Sequence, residues 1–266
     1  MINRFYRNKL IKQEFLLITF FLKKYLKDLR TIICLIIIIV PPIYTISIIN
    51  HLFETETDIN QIVIDDYIYW NAFLFFSILL YRFSTIIISS DIISGDFSDR
   101  SAMILYTTPV SRKRIVISKI FSMVIYLFLF QLISFITFYI SLLLMVGTSV
   151  SVNFFLFGFF LNFLNVLFCL SFSLTLSALT KNTIISILIP FFYFYIGPQL
   201  FDIFDFELLS YTYYNAIVIE GISNFIESGV LNFGFEQFLS LILMICIPLV
   251  LIFITIVIFN KSDIRV

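Results

Sequence analysis

Three polar side chains lie inside long apolar stretches of the chain, where a polar group is costly and usually has a role. Asn162 and Asn165 are three residues apart and so share one face of a helix, and Arg82 is the clear charge inside an apolar stretch. Amides in a membrane either bond between helices or line a path for a transported molecule. The arginine either extends to the lipid headgroups or serves such a path. Asn162, Asn165 and Arg82 are therefore candidate translocation-path residues.

The chain lacks most of the groups that catalysis or metal binding would need. His51 is its only histidine, and Cys34, Cys169 and Cys246 lie far apart in apolar stretches. It contains neither a G-x-x-x-x-G-K-[ST] phosphate loop nor a G-x-S-x-G motif. We expect a protein that is not an enzyme, with no catalytic residue, no metal site and no nucleotide site. Any active transport would then draw its energy from a partner.

The composition is that of a membrane protein. Of 266 residues, 61% are hydrophobic and 13% are charged, whereas a soluble domain is usually about 25% charged. Six apolar segments approach or exceed the roughly 20 residues that a spanning helix needs. They cover residues 31–49, 68–88, 120–146, 154–179, 183–200 and 238–259. We expect an all-α polytopic protein with six transmembrane helices in a single domain, residues 1–266.

The distribution of charge predicts the orientation. Lys and Arg occur before the first segment, between the second and third, between the fourth and fifth, and after the sixth. The other three loops contain neither, and the longest of them, residues 201–237, is acidic. By the positive-inside rule both termini are cytoplasmic and residues 201–237 are extracellular, in a multi-pass protein of the cell membrane.

Two features depart from simple spans. Residues 1–30 combine apolar side chains at helical spacing with lysines for a polar face, which predicts an amphipathic helix in the inner membrane interface; a basic topogenic tail is the alternative. Pro41 and Pro42 lie within the first predicted span, and Pro190 and an Ile-Gly-Pro run lie in the fifth. Prolines there are expected to kink the helices, as hinges or as static packing features.

The connection between the second and third segments, residues 91–119, is longer than orientation requires. It reads DIISGDFSDRSAMILYTTPVSRKRIVISK. Pro109 ends whatever precedes it, Ser111 can cap a helix that begins with basic residues, and a short helix is expected around residues 98–106. An apolar element surrounded by charges on a cytoplasmic loop is typical of a docking surface.

This stretch resembles the ABC-2 type transporter permease family. The family pattern is an acidic residue four positions before a glycine, a leucine-rich turn, T-x-P-[VI]-S-R, and a lysine that opens the next span. The matching residues are Asp91, Gly95, Leu105, Thr107, Pro109, Val110, Ser111, Arg112 and Lys119. The family usually has glutamate first and often threonine after the glycine, where this chain has Asp91 and Asp96.

The resemblance implies a membrane-spanning subunit of an ATP-driven ABC exporter. Such a subunit forms the translocation path with a second permease subunit, identical or different, in the lipid bilayer, and a separate ABC ATPase powers it. That ATPase would bind ATP and Mg, and no nucleic acid is expected. Residues 91–119 would be the coupling loop that docks the ATPase, together with the N-terminal helix. The docking residues would be Asp91, Gly95, Asp99, Arg100, Leu105, Pro109 and Arg112.

In relatives, the loop before the last span often carries half-inserted helices. Residues 215–233, with Glu220 and Glu227, are similar in character, and a solvated acidic cap is the alternative. Two other function classes also stay open. An ATP-independent carrier or channel would work when reconstituted alone. A membrane anchor or assembly subunit would bind a partner without substrate-stimulated ATP hydrolysis.

Overall fold

A computed structural model describes residues 2–55, 66–98, 110–145, 152–204, 206, 210–211, 213–214, 217–218 and 234–261. Throughout these ranges the chain forms helices and no strand, which confirms the predicted all-α class. The helices are α1 (Ile2–Lys27), α2 (Leu29–Thr55), α3 (Asp66–Ser98), α4 (Arg112–Met145), α5 (Val152–Thr180), α6 (Thr183–Tyr195), α7 (Gly197–Ile203) and α8 (Phe235–Lys261).

Five helices of the described part are long and apolar enough to cross a membrane: α2, α3, α4, α5 and α8. They coincide with the first, second, third, fourth and sixth predicted segments. The predicted fifth segment is instead divided between α6 and α7, which meet at Ile196, just before Gly197 and Pro198. With 13 residues, α6 extends about 20 Å, less than the roughly 30 Å hydrocarbon core. A sixth span stays a prediction.

Helix α2 continues through Pro41 and Pro42, and another helix supplies a hydrogen-bond donor in place of the N–H that Pro42 lacks. Because proline has no N–H, the carbonyl of Ile38, four residues before Pro42, loses its usual donor. The hydroxyl of Ser134 in α4 donates to that carbonyl at 2.9 Å. A hydroxyl from a neighbouring helix is a known means of accommodating proline in a membrane.

Pro248 in α8, which the sequence analysis did not single out, is accommodated in a similar way. It lies inside a continuous helix and removes the donor for the carbonyl of Met244. The Tyr211 hydroxyl donates to that carbonyl across 3.5 Å. Tyr211 belongs to the predicted extracellular loop, yet it is only 2% exposed. Part of that loop is therefore packed against membrane helices.

The chain forms two compact units. The first unit comprises Met1–Thr85 and Ser118–Val166. Within it α1 lies against α4: the Ser122 hydroxyl donates to the Ile18 carbonyl at 2.9 Å, and the Lys119 ammonium lies 5.4 Å from the centre of the Phe21 ring. Phe15 and Leu26, apolar residues of α1, are exposed, as side chains that face lipid would be. The interfacial position of α1 stays a prediction.

The second unit comprises Ile86–Ile117 and Leu167–Val266. Its core is aromatic. The ring of Phe168 in α5 stacks on that of Tyr211 with centroids 3.9 Å apart, and it meets Phe194 of α6 edge-on at 5.4 Å. Phe172 and Tyr193 extend this group, with ring centroids 5.0 Å apart. The aromatic contacts thus hold α5, α6 and the Tyr211 segment together.

Candidate functional site

Both ends of the predicted coupling loop are helical. Asp91 and Gly95 lie in the last turns of α3, which ends at Ser98, and α4 begins at Arg112. Ser111 precedes α4 as expected, and its carbonyl accepts from the Arg114 N–H at 2.9 Å. The part of residues 91–119 that lies between the helices is therefore shorter than the sequence suggested.

The middle of the stretch lies outside the described residues. Of the seven predicted docking residues, Asp99, Arg100, Leu105 and Pro109 fall there, with most of the short helix expected around residues 98–106. The structure places the other three, Asp91, Gly95 and Arg112, in the second unit.

Asp91 and Gly95 are in direct contact. They are four residues apart in α3 and so occupy the same helix face. A Cβ atom added to Gly95 would lie 2.6 Å from Asp91 Oδ1, closer than such atoms can approach. The carboxylate therefore occupies the space that a side chain at residue 95 would need. This is a structural reason for glycine at this position of the motif.

The Asp91 carboxylate also faces the start of α6. The hydroxyl of Thr183, the first residue of α6, donates to Asp91 Oδ1 at 3.4 Å. A carboxylate at a helix N-terminus is stabilised by the partial positive charge of the unpaired N–H groups there. The first acidic residue of the motif thus interacts with a second helix of its own chain.

Ser177 of α5 bridges two backbone groups of α3. Its hydroxyl donates to the Ser90 carbonyl at 2.8 Å and accepts from the Ser94 N–H at 2.9 Å. These two α3 groups would pair with each other in a regular helix. The Ser94 hydroxyl lies 3.1 Å from that of Thr183. We call Ser90, Ser94, Ser177 and Thr183 the hydroxyl cluster.

Lys181 and Asn182 alone connect α5 to α6, in a tight turn. Lys181 has a positive φ of 52°, and its N–H donates to the Ser177 carbonyl at 3.1 Å. Asn182 caps α6, and its side chain accepts from the Ile184 N–H at 2.9 Å. The Lys181 ammonium lies 5.0 Å from the centre of the Phe97 ring. The turn is thereby fixed beside the end of α3.

The three candidate path residues come together in the first unit. The Arg82 guanidinium donates to Asn165 Oδ1 at 2.7 Å, and Asn162 Nδ2 donates to the Ser77 hydroxyl at 2.7 Å. Arg82 is 7% exposed, Asn165 1% and Asn162 0%. These bonds join α3 to α5, as the interhelical interpretation predicted. Asn165 binds the Arg82 guanidinium inside the protein, and the role of Arg82 in a translocation path stays a prediction.

Sequence reasoning missed Ser134, Ser177, Thr183 and Tyr211 as residues that join segments. A hydroxyl that bonds to a neighbouring helix has no signature of its own in a single sequence. The spacing of Ser90 and Ser94, which places both on one face of α3, was the available signal.

Comparison with known families gives one result. A family model described as "ABC-2 family transporter protein" matches residues 16–197, more than half of the chain. The matched range contains Asp91, Gly95 and Arg112, the hydroxyl cluster and the Arg82–Asn165 pair. No curated protein matches the chain.

Proposed function

The chain belongs to the ABC-2 type transporter permease family, and we propose that it is the membrane-spanning subunit of an ATP-driven exporter. In this proposal it forms the translocation path with a second permease subunit, identical or different, and a separate ATPase that binds ATP and Mg supplies the energy. The protein is multi-pass, and both termini and residues 99–111 lie in the cytoplasm. The charge distribution supports that orientation, because the loops on the opposite side contain no Lys or Arg.

The observation that supports this function best is the arrangement at the end of α3. Asp91 and Gly95 are in contact, and the Asp91 carboxylate also meets the N-terminus of α6. Arg112 and two further basic residues open α4 on the other side of residues 99–111. A segment with apolar and charged residues that connects the ends of two membrane helices is suited to receive a partner and to pass its movement into the membrane.

A mechanism follows from this arrangement. ATP-driven closure of the partner acts on residues 99–111 and so on the ends of α3 and α4. The subunit then alternates between inward- and outward-facing states, and the partner shifts that equilibrium only if it binds the two states with different affinity. The Arg82–Asn165 and Asn162–Ser77 bonds join α3 to α5 in the first unit, so they are placed to respond when α3 moves.

The test is co-expression with an ABC ATPase, sought first among the products of neighbouring genes, followed by purification on a tag carried by this chain. We expect the ATPase to be recovered with the unchanged chain. Replacement of residues 99–106 by a Gly-Ser linker of equal length should abolish that recovery. Arg112→Ala should weaken it, while Lys113→Ala, a change of an exposed lysine on the same helical turn, serves as the matched control.

Each alternative predicts a different result. Transport by the reconstituted chain alone would indicate a carrier or channel. Recovery of the ATPase without any substrate-stimulated hydrolysis would indicate an anchor. Unchanged recovery after replacement of residues 99–106 would exclude this segment as the docking site.

A further inference from the structure

The hydroxyl cluster indicates that α5 and α6 respond to movement of the end of α3. The Ser177 hydroxyl of α5 binds both the Ser90 carbonyl and the Ser94 N–H, two backbone groups one turn apart in α3. Thr183 adds a bond to the Asp91 carboxylate and lies 3.1 Å from the Ser94 hydroxyl. The end of α3 is therefore bound both by α5, through Ser177, and by the first residue of α6, Thr183.

All members of this cluster lie in the second unit, and most are inaccessible. Ser90, Ser94 and Ser177 are each 0% exposed. The Ser90 carbonyl accepts from the Ser94 hydroxyl of its own helix at 2.6 Å as well as from the Ser177 hydroxyl. The end of α3 is thus bound by α5 and α6 in addition to its own helical bonds.

We propose that Ser177 and Thr183 are positioning residues that transmit movement of the α3 end to α6. The inference rests on the proposed function, in which a partner ATPase acts on the segment after Ser98. Without these hydroxyls we expect the ATPase still to dock, since neither Ser177 nor Thr183 is one of the seven predicted docking residues and residues 99–111 are unchanged. It would then move without carrying α6 with it.

The chain offers a close control for this proposal. Ser173 is in the same helix as Ser177 and one turn before it, and it is equally buried. Its hydroxyl has no hydrogen-bond partner among the described residues. Ser177→Ala and Ser173→Ala therefore remove the same atom from the same helix, and only the first removes a bond to α3. For Thr183, Val removes the hydroxyl at nearly constant shape, and Ser retains it.

The reporter is a spin label at residue 184, introduced as Ile184→Cys in a chain whose three cysteines have been replaced. Ile184 is exposed and lies in the first turn of α6. The complex with the co-expressed ATPase is measured with and without ATP and vanadate. We expect the electron paramagnetic resonance spectrum of the label to differ with and without ATP and vanadate, both in the unchanged chain and in Ser173→Ala. The change should be lost in Ser177→Ala and Thr183→Val and restored in Thr183→Ser, with ATPase recovery equal throughout.

Hydrogen exchange of the purified chain alone tests the structural basis separately. Peptides covering residues 90–98 should exchange faster in Ser177→Ala than in Ser173→Ala. Equal exchange, or an intact spectral response in Ser177→Ala, would overturn the inference and leave the proposed function standing. Failure of the unchanged chain to bind any ATPase would overturn the proposed function, and the inference with it.

Discussion

At the scale of single residues, Gly95 is a position where stability and function are expected to diverge. Alanine is favoured over glycine inside a helix by about 1 kcal/mol, but a Cβ at residue 95 would displace the Asp91 carboxylate that occupies its space. The clash is with the flexible end of a side chain, so the helix itself can persist. We therefore expect the substitution to displace the Asp91 carboxylate without destabilising the fold.

We predict that Gly95→Ala leaves the unfolding temperature in detergent unchanged or raised, and lowers ATP-dependent coupling. The physical reason is that Asp91 moves away from Thr183, its partner across 3.4 Å. The double variant with Asp91→Ala provides the control. If Gly95→Ala acts through Asp91, it should reduce coupling no further in the Asp91→Ala background. An additive loss would show that Gly95 acts by another route.

Lys181 gives a second prediction at this scale. A non-glycine residue in the left-handed region is disfavoured by about 1–2 kcal/mol, and Lys181 has φ 52°. Its cation–π contact with Phe97, worth about 0.5–1 kcal/mol when exposed, partly offsets this. Both Lys181→Ala and Lys181→Gly remove the contact, but only glycine removes the strain. The free energy of unfolding should be about 1 kcal/mol higher for Lys181→Gly than for Lys181→Ala. Equal free energies of unfolding for the two variants would contradict the assigned turn.

At the scale of elements, the helices depend on hydroxyls supplied by their neighbours. The carbonyl of Ile38, deprived of a donor by Pro42, is met by Ser134 of α4, and that of Met244, deprived by Pro248, is met by Tyr211. Proline within a span and a hydroxyl elsewhere in the chain therefore form pairs. Replacing the proline should therefore change how much the hydroxyl contributes to the free energy of unfolding.

A double-mutant cycle tests the first of these pairs. We predict that Ser134→Ala lowers the unfolding free energy by about 0.6–2 kcal/mol in the unchanged background, since it leaves a buried carbonyl without a donor. In the Pro42→Ala background the N–H of residue 42 can donate to the Ile38 carbonyl, so Ser134→Ala should lower the unfolding free energy by less. Thr137→Ala in the same helix is the control, because among the described residues the Thr137 hydroxyl bonds within α4, to the carbonyl of Ile133. Equal losses in both backgrounds would refute the pairing.

At the scale of the whole molecule, the orientation can be tested by labelling. In a cysteine-free background, Phe235→Cys, at the exposed first residue of α8, should react with a membrane-impermeant maleimide in intact cells. Ser111→Cys, exposed before α4, should react only after the membrane is permeabilised. The reverse pattern would invert the assigned topology.

The sequence was sufficient for the helical class, for five spanning segments and for the family, because apolar length, charge asymmetry and the Asp91-to-Lys119 motif are local signals. It was insufficient for contacts between helices. Asn162 and Asn165 could be placed on one face of α5, but the partner of each, Ser77 and Arg82, depends on how α3 packs in the first unit. Helix α3 also continues past residue 88, where the predicted second segment ends, since a polar sequence such as Asp91–Ser98 can stay helical when neighbouring hydroxyls bind it.

The central claim is that the energy for this chain comes from a separate ATPase that docks between α3 and α4. Native mass spectrometry of the co-expressed and purified complex tests it most directly. We predict a species with two permease subunits and two ATPase subunits, and loss of the ATPase subunits when residues 99–106 are replaced by a Gly-Ser linker. A permease that remains without ATPase when the motif is intact, or one that retains the ATPase when those residues are replaced, would contradict the account.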